Sequence, residues 1–251
     1  MGNKYKNAPV SEVILGVTWN GPHLHDAGEY YRMLERLASD SARDQALGPL
    51  GDELMTPNGA VQTHLNPLST GPVLHRFRSS DDHWLTQVQF NKFYLNWIRL
   101  DSVEVGMYPG YASIRDRFFN LLHKLPSSEK GAVSYWDLTY QDRVDLSLLG
   151  CELSDFERYL NLKLPSIAAP QGEIGVSSVF LVQNYRLPEL GGYAILKITG
   201  PAPDRDSVLS VQFSIRGKGA EREAWFEKAH EKQLSFFESF FRSELLEKWR
   251  E

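Results

Sequence analysis

The chain carries one cysteine, Cys151, in 251 residues, which excludes an internal disulfide and any zinc site built from several cysteines. It has no apolar run near the ~18 residues of a membrane span, and none follows the basic residues of MGNKYKNAPVSEV, so neither a spanning helix nor a secretory leader is expected. MGNKYK places Lys6 where a myristoylation signal wants Ser or Thr. An excess of positive charge is lacking as well: 27 Lys and Arg stand against 32 Asp and Glu, and general affinity for nucleic-acid backbone needs many cations. There is no G-x-S-x-G elbow, P-loop or complete dinucleotide fingerprint. These absences point to a cytoplasmic chain in a reducing compartment, with no cofactor and no metal expected.

What is abundant is rings. Six Trp, eleven Tyr and thirteen Phe in a 42% hydrophobic composition can bury a sizeable core, which disordered chains cannot. Period-two alternation marks SEVILGVTW at 11–19, then 73–80, 83–90 and 93–101, and later 133–146, SSVFLVQNYRL, GYAILKITG and 207–216. Helical spacing appears at 26–40 with Asp26 as cap, in YASIRDRFFNLLHKL after the turn Tyr108-Pro109-Gly110, at 153–163, and along 220–251. Residues 45–71, rich in Gly, Pro, Asn and Thr, predict a long irregular connection. The last segment reads as one rod of roughly 43 Å at ~1.5 Å per residue, with Phe226, His230, Leu234, Phe237, Phe241, Leu245 and Trp249 on one seam.

The order βαβββα therefore occurs twice, and the predicted fold class is α+β: internally duplicated units forming a largely antiparallel sheet with helices packed on one face. The expectation is a single compact domain over 1–251, made of similar halves at about 1–125 and 126–251. A saddle-like layout transfers no function by itself.

Each candidate for chemistry has an ordinary packing role as its alternative. RGKGAERE at 216–223 runs from a strand into a helix, but it lacks the spacing of a phosphate loop, and Glu221 and Glu223 repel anions. His23, His25 and Asp26 find no partner cluster and read as a solvated loop. Cys151 reads as an inert thiol. His230 and Glu244 lie about 21 Å apart along one straight helix, so any acid partner of His230 must come from another element, such as Glu12. The polar sheet face remains: Gln87, Gln89, Asn96, Lys197, Gln212, Ser214 and Arg216 are the binding candidates. In QFNKFYLNWIRL, Phe93, Leu95 and Trp97 are expected to face the helices, Asn96 the available side, and Arg99 water at the strand's end.

Three segments, NAPVSEVI at 7–14, FYLNWIRL leading to YPGYASIRDRFF at 93–119, and KAHEKQLSFFESFFRSELLEKW at 228–249, together resemble a sporadically distributed, uncharacterised bacterial family of about this length. Its marks are a Pro-Val-x-Glu-Val start, a Tyr-Pro turn and a closing His-to-Trp helix. Ser243 stands where that pattern has Thr. Glu12, Trp97, Tyr108, Pro109, Tyr111, His230, Glu244 and Trp249 are the family-like positions. The resemblance implies a bacterial, cytoplasmic accessory protein, defence-associated in the manner of patchily distributed genes, and brings no activity with it.

The function expected is a non-catalytic binding or interaction protein that uses an open sheet face and the 45–71 segment to meet another protein or a small ligand, with no membrane. The alternative is an enzyme acting on a small polar molecule through His230 and an acidic residue. Nucleic-acid binding through Arg76, Arg78, Lys92 and Arg99 is the less favoured reading.

Overall fold

The computed structural model describes residues 5, 7–20, 32, 35–36, 41–47, 52–55, 61–64, 74–89, 91–100, 108–125, 132–149, 160–161, 179–200, 207–219 and 221–250. Nine strands form one antiparallel sheet. They are β1 (Val10–Trp19), β2 (Ser41–Leu47), β5 (Leu74–Ser79), β6 (Trp84–Gln89), β7 (Lys92–Ile98), β8 (Val133–Asp145), β9 (Val179–Leu187), β10 (Gly192–Gly200) and β11 (Val208–Gly217). β3 (Asp52–Met55) and β4 (Val61–His64) pair separately. Helices α1 (Tyr111–Lys124), α2 (Arg222–Phe240) and α3 (Ser243–Arg250) follow the sheet segments. The helices predicted at 26–40 and 153–163 lie largely outside the described residues, as do Cys151, His23, His25 and Asp26.

The order across the sheet is β2-β5-β6-β7-β1-β8-β11-β10-β9. β1 and β8 sit side by side at the centre, joining the first and second halves of the chain through nine register pairs from Val10–Asp142 to Trp19–Val133. Alternation then sorts the side chains. Val13, Leu15 and Val17 share a face with Phe93, Leu95 and Trp97 of β7 and with Trp136 and Leu138 of β8, as the register requires. All are buried, and α1 packs on β7 and β1 while α2 packs on β8. This back face holds the aromatic core, including Phe118 against Phe93 and Phe226 against Trp136.

Helix α1 buries Tyr111, Ile114, Phe118 and Leu122 at three- and four-residue spacing. It starts at Gly110, whose φ of 82 and ψ of 151 fall where only glycine is at ease. That is why the Tyr-Pro turn ends in Gly.

Two expectations are corrected. The 45–71 segment is not wholly irregular: it contains the end of β2 and the β3–β4 pair, short strands without the apolar alternation that would reveal them. The terminal rod is two helices. Phe241 adopts an extended backbone and bridges to Leu160, while the Phe240 carbonyl accepts Asn161 N–H at 2.7 Å. A contact from a distant segment takes the acceptor that helix continuation needs, and neither Gly nor Pro signals it. The buried face of α2 shifts accordingly to Trp225, Phe226, Ala229, Gln233 and Phe240, leaving Leu234 exposed.

Candidate functional site: two polar zones on opposite faces of the sheet

The front face, opposite the helices, carries the even-numbered residues of β1, β7 and β11 and the odd-numbered ones of β6, β8 and β10. The register sets Gln87, Tyr94, Gly16, Asp137 and Arg216 in one row across five strands. Gly16 is required there: a Cβ would overlap the Tyr94 ring, which lies over the strand. The Tyr94 hydroxyl reaches Asp137 at 3.5 Å, and Asp137 forms a close ion pair with Arg216. Burial alone would lower the Arg216 pKa, but the Asp137 carboxylate outweighs it and holds the guanidinium charged.

The neighbouring rows are bonded too. Asn96 donates to Glu12 at 2.5 Å and accepts from Gln87 at 2.9 Å. Thr139 and Gln212 donate to the Ser214 hydroxyl at 2.9 and 3.0 Å, and Gln141 donates to Ser210 at 3.2 Å. Burial raises the Glu12 pKa, opposed by the Asn96 hydrogen bond and by the charges of Arg76 and Arg78.

The seven binding candidates all lie on this face, but it is not open throughout. Asn96 is 3% exposed and Lys92 4%, and Gln89, Asp137 and Thr139 are buried as well. Gln87 in the first half and Gln212, Ser214 and Arg216 in the second are half-buried, and of the seven candidates Lys197 alone is exposed. The expected availability of Asn96 is corrected, because it is committed to Glu12 and Gln87. Lys92 cannot reach a phosphate backbone while buried, and Arg78 is bridged to Asp82 at 3.8 Å.

The second zone lies on the back face between sheet and helices, and it gathers four of the eight family-like positions, Trp97, Tyr108, Tyr111 and His230. Tyr108 and Tyr140 hydroxyls are 3.3 Å apart, and Tyr140 lies 3.2 Å from His230 Nδ1. Tyr111 stacks on His230 with centroids 3.7 Å apart, and Trp97 meets Tyr108 edge-on at 5.2 Å. Burial holds His230 down to about 4, so near neutral pH its Nδ1 is free to accept from Tyr140. Burial raises Tyr108 to about 12.

Asp142, two residues beyond Tyr140 on the same face of β8, is buried, and desolvation lifts its carboxyl to about 7 against the opposing charge of Arg99. No hydrogen-bond partner among the described residues reaches Asp142 Oδ1 or the Tyr111 hydroxyl. Arg99 is half-buried at the strand's end, its pKa lowered by that burial.

Glu12 and His230 are on opposite sides of the sheet, so the pairing suggested for them is corrected. Glu244 is exposed on α3 and bonds Ser243; Trp249 packs edge-on to Phe241 at 4.9 Å. Tyr94, Asp137, Tyr140 and Asp142 were missed from sequence. The available signal was the run YWDLTYQDRVD in β8, where polar residues interrupt both faces of a central strand. Among the described residues no group of three His, Cys, Asp or Glu side chains is placed to hold a metal, and no helix is long and apolar enough to cross a membrane.

Compared with protein-family models and with curated protein sequences, the chain has no match in either.

Proposed function

We propose that the protein is a non-catalytic binding or interaction module of a bacterial accessory system, defence-associated, cytoplasmic, and acting through the exposed part of its front sheet face on another protein or a small ligand. One observation carries the reading: the front side chains are already bonded to one another across five strands, from Gln87 through Asn96 and Glu12 and from Tyr94 through Asp137 to Arg216. Such a preset polar surface loses little entropy when a partner settles on it. Contact would fall where the ribbon emerges, at Arg216, Ser214, Gln212 and Lys197. The bacterial and accessory parts of the proposal rest on the resemblance of the three segments. The described strands of the 45–71 segment are offered as a secondary contact.

We also infer that the halves descend from one βαβββα unit. What supports this is the mirrored order outward from the centre, β1-β7-β6-β5 on one side and β8-β11-β10-β9 on the other. In each half the first strand is central and the last three follow it outward in reverse chain order, with a helix after the last; the first half departs from the βαβββα unit by adding β2 at its edge and the separate β3–β4 pair.

The test is Lys197→Glu with Gln212→Ala and Ser214→Ala, three substitutions outside the core, followed by purification of bound partners from the source cell. Loss of a partner or cellular phenotype with an unchanged melting temperature supports the proposal. Full retention of both removes it.

The enzyme alternative keeps one favourable observation, the buried Asp142, whose Oδ1 has no hydrogen-bond partner among the described residues, two residues along β8 from the Tyr140 of the Tyr108–Tyr140–His230 chain. Turnover abolished by Asp142→Asn or His230→Gln in folded protein would select it instead.

A further inference from the structure

The two edges of the nine-stranded sheet differ. β2, at one end, has its register broken between Arg43 and Gln45 and carries Arg43 and Asp44 in mid-strand. Bulges and charges of this kind keep an edge from pairing with another chain. β9, at the other end, pairs with β10 through nine consecutive residues, Val179 to Leu187, without a shift. It contains no Pro, Lys, Asp or Glu, and among the described residues β10 is its only strand neighbour. Its front face also displays apolar surface: Phe180 is 74% exposed and Val182 44%, with Asn184 and Arg186 continuing the row. A regular, nine-residue, largely apolar edge presents its outward backbone groups as a template for a further strand.

We propose that β9 pairs antiparallel with β9 of a second copy of this chain, about a two-fold axis at Gln183 and perpendicular to the sheet, making one continuous sheet across the dimer. The strand's own pattern selects this occupant. A two-fold of that orientation sets front residues opposite front residues, so the register sum must be even. Centring on Gln183 is the register that pairs the strand over its whole length. It places Phe180 opposite Arg186 of the copy, Val182 opposite Asn184, and Leu181 opposite Tyr185. The one cation of β9 thereby meets an aromatic ring, and the two Arg186 side chains lie at opposite ends of the interface, so no like charges face each other. The inference does not depend on what the front face binds.

Sedimentation velocity across a dilution series is the primary measurement. The wild-type chain is expected to dimerise, and Phe180→Lys with Val182→Lys, both at exposed positions, to weaken association at least about tenfold by placing charge on a formerly apolar edge, with the same melting temperature as wild type at dilutions where both are monomeric. Register is read separately in a Cys151→Ser background: Gln183→Cys, at the axis, should oxidise to a disulfide-linked dimer, while Phe180→Cys, facing Arg186, should not. A chain that stays monomeric at every concentration overturns the proposal. So do a dimer indifferent to the double lysine variant, crosslinking that favours position 180, and a β9 edge that takes up a different protein's strand in place of its own copy.

Discussion

The hydroxyl of Tyr140, on the central strand β8, lies 3.2 Å from Nδ1 of His230 on helix α2, and the same hydroxyl lies 3.3 Å from that of Tyr108. One oxygen therefore serves two half-buried polar groups that the Tyr-Pro turn and helix α2 bring together. Tyr140→Phe removes it without altering the ring. Tyr108 and His230 Nδ1 would each lose a partner, and the expected cost is about 1–3 kcal/mol. Urea unfolding checks this: the midpoint should fall while the denaturant slope stays constant.

On the front face, Asp137 and Arg216 form a close ion pair within the polar ribbon. Removing one partner leaves the other charge in a poorly hydrated place, so Asp137→Asn should destabilise by about 3–5 kcal/mol. Replacing both, as Asp137→Leu with Arg216→Met, should recover much of that loss, since a buried pair often contributes little net stability over apolar residues of similar size. A double-mutant cycle on melting free energies reads the coupling. Additive single effects would show that the pair is not energetically linked.

Gly16 lies beneath the Tyr94 ring. Gly16→Ala should force that ring away from Asp137 and cost about 1–3 kcal/mol, the usual range for overpacking. Tyr94→Leu in the same chain should relieve the overlap, making the double variant more stable than Gly16→Ala alone. Thermal melts of the four proteins decide it.

Much of this architecture is legible in the sequence where neighbouring residues alone determine it. Leu209, Val211, Phe213 and Ile215 alternate with Ser210, Gln212 and Ser214, and β11 buries the first set and turns the second to the front. The same rule placed Phe93, Leu95 and Trp97 toward the helices. It failed where the deciding partner is distant in sequence. The break at Phe241 depends on Leu160 and Asn161; the burial of Asn96 depends on Glu12, 84 residues away; and although a packed His230 bonded across the interface is legible, its partner Tyr140, 90 residues earlier, is not. Tyr140 and Asp142 carried no motif because their meaning lies in the pairing of β8 with elements on both sides. Helical periodicity likewise cannot distinguish a long straight helix from two helices whose apolar faces continue across a bend.

The back cluster holds two groups whose proton affinities are shifted in opposing directions, and this makes a prediction about pH. His230 falls from its ordinary 6.5 to about 4, so between those values the unfolded chain binds the extra proton and stability is lost as pH falls. Asp142 rises from 3.8 to about 7, so between those values the folded chain binds the extra proton and stability is lost as pH rises. The windows overlap from about 4 to 6.5, and the two slopes oppose each other there. The wild-type contribution of the pair should be nearly flat in that range. Each variant should expose the other's slope. His230→Gln should become more stable on acidification from pH 7 toward 4, and Asp142→Asn less stable over the same interval, each by up to a few kcal/mol at ~1.4 kcal/mol per pKa unit. Other groups titrate equally in all three proteins, so the differences between their chemical-denaturation curves at each pH isolate the pair. Three parallel curves would show that the folded environment does not shift Asp142 and His230 in opposing directions.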